Sequence, residues 1–198
     1  MQLLALLVGG LAAAATPAEL YQQSYDLEAK GDHAGALGKL EALEEAGQSG
    51  YVLSLRKAWL SYRAGRHADA VKAYRRAIAA APEGLEARQG VILPLIAMGS
   101  WSEAEAACRD LLSRSPDDYY GRSRLAWVLY SSGRYAEAAD AYREVLRRYP
   151  SDVDMRAGLG WSLLKQGQTV AARAAFDAVL AVAPAHASAS EGRAAAGG

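Results

Sequence analysis

Glycines recur through this chain at one fixed step, as Gly31, Gly65, Gly99, Gly133 and Gly167. Prolines keep the same step at Pro82, Pro116, Pro150 and Pro184. Alanines do so at Ala36, Ala70, Ala104, Ala138 and Ala172, always five places after the glycine. Three residue types locked to one period describe stacked copies that bury their apolar faces only on their neighbours, so no single globular core is expected. The array spans 16–186, with copies at 17–50, 51–84, 85–118, 119–152 and 153–186.

The unit is read most clearly in Ser123–Pro150, SRLAWVLYSSGRYAEAADAYREVLRRYP. A first amphipathic helix ends at Gly133, which supplies a left-handed cap residue at low steric cost. A second helix follows and is stopped by Pro150, because the residue before a proline is pushed out of the helical region. Its apolar residues Tyr135, Ala138, Ala139, Tyr142, Val145 and Leu146 fall at helical spacing on one stripe. His67, Ala70, Val71, Tyr74, Ala77 and Ile78 repeat that stripe in the second copy.

The second, fourth and fifth copies thus combine a small residue in the first helix (Ala58, Ala126, Gly160), the glycine, the alanine, a large residue four places later (Tyr74, Tyr142, Phe176) and the terminal proline. In period and motif the chain resembles the tetratricopeptide repeat family. The resemblance implies an all-α fold, a right-handed superhelical α-solenoid of helix-turn-helix repeats whose first helices line a concave groove. The first copy departs from the pattern at Leu40 and Gln48, where an aromatic and a proline are expected. Arg88, Arg122 and Arg156 stand where a tryptophan is frequent.

Much chemistry is excluded. Lysines and arginines number 22 and aspartates and glutamates 22, so the formal net charge is zero and offers no footprint for a phosphate backbone; nucleic acid is not an expected partner. His33 and His67 share one place in successive copies, where Trp101, Tyr135 and Thr169 follow, so they are scaffold positions and no metal site is expected. Trp101, on a second helix, is read as core. The single cysteine, Cys108, stands in register with Tyr74, Tyr142 and Phe176, as a core residue does. Gly158-Leu159-Gly160 lies inside a repeat helix and follows no strand, so it is not a dinucleotide loop. No enzyme and no cofactor are expected.

The two ends read differently. Residues 1–15, MQLLALLVGGLAAAA, are uncharged and apolar and end in the small residues a signal peptidase needs. They are read as a secretory signal, which places the protein outside the inner membrane, in a bacterial periplasm, with no stable membrane span in the mature form. The alternative is an apolar cap on a cytoplasmic array. Residues 187–198, ASASEGRAAAGG, carry almost no bulky apolar side chain and are expected as a frayed C-terminal cap.

Candidate binding residues are what the repeat leaves unused on the first helices. Places two, five, nine, twelve and thirteen of each copy share one helical stripe, their spacings of three and four keeping them on one side. That stripe carries Tyr21, Tyr25, Trp59, Tyr62, Arg63, Tyr120, Trp127, Tyr130, Trp161 and Lys165, and the family resemblance sets it on the groove. Tyr and Trp contribute large contact area at little side-chain entropy cost. The expected function is a non-catalytic protein-protein interaction scaffold that holds an extended peptide or a segment of a partner protein. The alternative is a glycan-binding accessory module of bacterial envelope polysaccharide assembly or secretion, because the last two copies also resemble envelope-associated repeat segments.

Overall fold

A computed structural model describes residues 15–197. The secretory-signal reading falls on residues 1–14, outside the described residues, apart from Ala15. Eleven helices are described, and no strand is present among the described residues. They form two compact units that part between Ser49 and Gly50.

The first unit holds α1 (Pro17–Ala29) and α2 (His33–Glu45). Thr16 and Glu19 form a reciprocal capping box: Thr16 Oγ1 accepts from the Glu19 amide at 3.3 Å, and the Glu19 carboxylate accepts from the Thr16 amide at 2.7 Å. Leu37, Leu40 and Leu43 are buried along α2, so Leu40 serves as core where the second, fourth and fifth copies use a ring.

The second unit is an all-α solenoid of helix pairs: α3 (Tyr51–Arg63) with α4 (His67–Ala80), α5 (Glu86–Ala97) with α6 (Trp101–Arg114), α7 (Tyr119–Ser131) with α8 (Tyr135–Arg148), and α9 (Val153–Lys165) with α10 (Thr169–Leu180). Each helix packs on the next in sequence, and α3, α5, α7 and α9 also touch in succession. The glycine ladder ends the first helices as expected, with φ between 67° and 81° from Gly31 to Gly167. A second ladder, not read from the sequence, caps the starts of helices. Asp118, Asp152 and His186 stand one period apart as N-caps, their side chains accepting the amides of Gly121, Met155 and Ala189 at 2.6, 3.0 and 3.1 Å.

The arginines that replace the frequent tryptophan tie helix to loop. Arg88 donates to the Gly84 carbonyl and the Asp110 carboxylate, both at 2.8 Å. Arg122 reaches the Pro116 carbonyl and Glu144, and Arg156 the Pro150 carbonyl at 2.6 Å. Arg88 is nearly buried, so Arg88→Ala should cost about 1–3 kcal/mol, the range for losing charge-assisted bonds with a partner left behind; denaturant unfolding checks this.

The core is a set of ring-on-glycine contacts between successive pairs. A methyl group built on Gly90, Gly158 or Gly192 would overlap the ring of Tyr74, Tyr142 or Phe176 respectively. Each glycine follows its ring at the same interval along the chain. The third copy inverts the pairing, with Cys108 for the ring and Arg124 for the glycine, while Ile92 enlarges the place held elsewhere by Ala58, Ala126 and Gly160. Cys108, Ile92 and Leu111 pack together, fully buried. Cys108 is thus core, as read from its register.

Burial raises the Tyr74 hydroxyl from 10.0 to about 12 and the Cys108 thiol from 9.0 to about 12. Both ionise more readily in the unfolded chain. The stability tied to their protonated forms is therefore complete below about pH 9 and lost as pH rises toward 12. Tyr74→Phe should flatten the fall in melting temperature above pH 10, measured beside phenolate absorbance.

The tail departs from the expected frayed cap. It forms α11 (Ala187–Ala195), which packs on α9 and α10 and buries Ala189, Gly192 and Ala196. Phe176 supplies the bulk, and the tail supplies only the small residues that let a helix approach that ring.

Candidate functional site

Among the described residues, two matching cavities open beside the first helices of the second unit. One, of about 350 Å³, is bounded by Trp59, Tyr62 and Leu55 of α3, Tyr74 of α4, Gln89, Gly90 and Leu93 of α5 with Glu86 at its start, and Tyr120 of α7. The other, of about 210 Å³, takes Trp127 and Tyr130 from α7, Tyr142 from α8, Gly158 and Trp161 from α9, and Ser188 from α11, with Arg124, Asp154 and His186 among its other walls. Every residue lining the first lies two repeat periods before a residue lining the second. Trp59 thus answers to Trp127, Tyr62 to Tyr130, Glu86 to Asp154 and Leu93 to Trp161. The two cavities are one construction, made twice.

Their form follows from the ring-on-glycine contact. Tyr74 and Tyr142 reach across to Gly90 and Gly158 and make each floor, since glycine has no side chain to fill the space above the ring. Pro94, buried inside α5, has no amide hydrogen, so the Gly90 carbonyl lacks its usual helical donor. In the intervening register Cys108 leaves no ring floor and Arg124 projects where a glycine would leave space. The inversion therefore spaces the two cavities by two repeats rather than one.

The stripe residues divide by role. Trp59 and Trp127 are 37% and 45% exposed although large and apolar. Trp127 stacks on Tyr130 at 5.9 Å, Trp59 leans on Tyr62 at 6.2 Å, and the Arg63 guanidinium lies 5.3 Å over the Trp59 ring. Trp161 is partly core: half-buried, it meets Phe176 edge-on at 5.6 Å and donates to Ser188 Oγ at 2.9 Å. Tyr120 is half-buried beneath the Arg124 guanidinium at 5.1 Å. Lys165 is exposed in the last turn of α9 and lines neither cavity. Tyr21 and Tyr25 lie on α1 of the first unit, Tyr25 half exposed. Trp101, read as core, is half-buried at the start of α6.

Sequence reasoning missed Arg124, Asp154, His186 and Ser188. Among the described residues Arg124 pairs with no carboxylate, and its Nε is buried without a hydrogen-bond partner. His186 accepts the α11 cap bond on Nδ1 and faces Asp154 Oδ1 with Nε2 at 3.1 Å, an arrangement that places its proton on Nε2. The signal for Arg124 was available: it stands in phase with Gly90, Gly158 and Gly192 and, like Arg56, breaks that ladder. Among the described residues there is no cluster of three or more His, Cys, Asp or Glu that could hold a metal, and no helix is long and apolar enough to cross a membrane.

Tetratricopeptide repeat models match residues 21–84, 95–153 and 129–196. The chain belongs to the tetratricopeptide repeat family. Solved tetratricopeptide repeat structures share its fold. One from Parabacteroides merdae superimposes with a TM-score of 0.83 at 20% identity, over 91% of this chain and 72% of that one. MamA from Desulfovibrio magneticus RS-1 gives 0.78 at 15% identity over 88% and 99%, and a thermophilic repeat protein of Thermus thermophilus gives 0.61 at 18% over 91% and 98%. Among curated proteins, none matches this chain in sequence. Tetratricopeptide repeats bind other proteins or peptides, and this chain is an interaction scaffold in that general sense.

Proposed function

We propose that the first-helix face of the second unit holds an extended segment of a partner protein, without catalysis. The observation that carries this is the exposure of Trp59 and Trp127, each beside a tyrosine and above a cavity floored by a ring. A scaffold that needed these rings for stacking alone would bury them; leaving them open costs hydrophobic stabilisation that binding recovers. The side chains beside them are mixed in charge, which suits peptide chemistry with its backbone donors and acceptors.

Trp127→Ala should weaken binding at least about tenfold, the scale of an interface hot spot, while helix content and melting temperature stay nearly unchanged. Titration followed by tryptophan fluorescence should respond to apolar or acidic peptides and not to oligosaccharides. A response to oligosaccharides alone would replace this reading with the glycan-binding one. We also propose export with residues 1–15 removed; N-terminal sequencing of the protein from its host that finds Met1 intact overturns that part.

A further inference from the structure

Two cavities built from the same register positions, two repeats apart, imply a ligand with its own repeat. The first helices α3, α5 and α7 touch in succession, and packed helices lie about 8–10 Å apart. The aromatic walls of α3 and α7 are therefore separated by roughly 20 Å, two such steps. An extended chain advances about 3.3 Å per residue, so six residues cover that distance, and an even number turns both side chains to the same face.

Resting on the reading above, we infer that the partner segment is an extended strand carrying two large apolar side chains at positions i and i+6. One sits in each cavity, and an acidic residue two places from the second anchor, on the same face of the strand, meets Arg124. The Cys108 and Arg124 inversion supports both parts. It withholds a ring floor from the register midway, so a side chain at i+3 meets no equivalent cavity and already points to the opposite face. It also sets a guanidinium at the wall of the second cavity, over Tyr120, with a buried Nε unsatisfied and no carboxylate of the described chain paired to it. A partly buried cation without an anion is costly, and a carboxylate from the ligand removes that cost. Each cavity has one acidic wall residue, Glu86 or Asp154, but a cation, Arg124, lines only the cavity of Trp127, so the acidic neighbour of the ligand belongs beside Trp127.

The test uses the full chain and fluorescein-labelled twelve-residue peptides of glycine and serine carrying two phenylalanines, with a glutamate two residues after the second. Anisotropy should show the pair spaced by six binding about tenfold or more tighter than the same peptide with one phenylalanine replaced by serine, because the second contact is intramolecular. Pairs spaced by three should bind like the single-ring peptide. Trp59→Ala and Trp127→Ala should each bring the six-spaced peptide to the single-ring level. Arg124→Gln should weaken the glutamate peptide severalfold and leave its glutamine version unchanged. Affinity independent of spacing, or a two-ring peptide that loses nothing with Trp59→Ala, overturns the inference. If single-ring peptides bind as tightly as paired ones and Trp127→Ala abolishes both, the groove reading stands and the two-anchor ligand falls. If no peptide binds and oligosaccharides do, both fall.

Discussion

Phe176→Ala is expected to destabilise the second unit by about 3–5 kcal/mol, the upper range for core truncations. The ring is fully buried, and it is shared: it packs on Gly160 within its own helix pair, on Gly192 of α11, and against the edge of Trp161. Neither glycine has a side chain to collapse into the space, so the cavity persists and the cost stays near the top of the range. Because each pair in a solenoid leans only on its neighbours, the loss is local. Amide exchange should rise across 153–197 while α3 and α4 keep their protection, and denaturant unfolding should develop two steps. A single step with uniform loss of protection would mean that the array unfolds as one body.

Cys108→Tyr should be nearly as informative. The substitution restores the residue type found at Tyr74 and Tyr142, yet alone it should cost about 1–3 kcal/mol, as overpacking does. The ring has no glycine to rest on, because Arg124 occupies that place, and Ile92 fills the room where Ala58 and Ala126 leave space. Adding Arg124→Gly and Ile92→Ala should recover most of the loss. The interaction energy in a thermodynamic cycle should therefore be large and favourable. Purely additive effects across the three changes would show that the inverted contact is not a coupled unit.

The fold was legible because solenoid stacking writes itself into the chain at fixed phase. Gly133 and Ala138 have one structural reason that recurs with every copy, and those of Tyr142 and Pro150 recur with most. The candidate site was legible only in part. Trp59 and Trp127 were readable as a stripe, since neither is needed to close a helix pair. Trp161 looked equivalent by phase but is half in the core, because its neighbour across the last interface is the short cap helix with Ser188 rather than another full repeat. The cap was expected to fray because its own residues are small; the burial it provides comes from Phe176, on the helix before it. Arg124 was missed because a stripe defined by spacings of three and four passes beside it.

The spacing between the cavities makes the functional module larger than the folding module. A deletion or insertion of a single copy conserves every helix contact type yet changes which registers carry a ring floor. Exchange of two copies together preserves that phase. Lengthening the array by a 51–118 cassette should therefore add one more cavity and extend the recognised segment by about six residues, whereas lengthening by half that cassette should leave a stable array that no longer reads the same ligand. Length changes in this chain would then be constrained by recognition in steps of two copies, while stability alone permits steps of one.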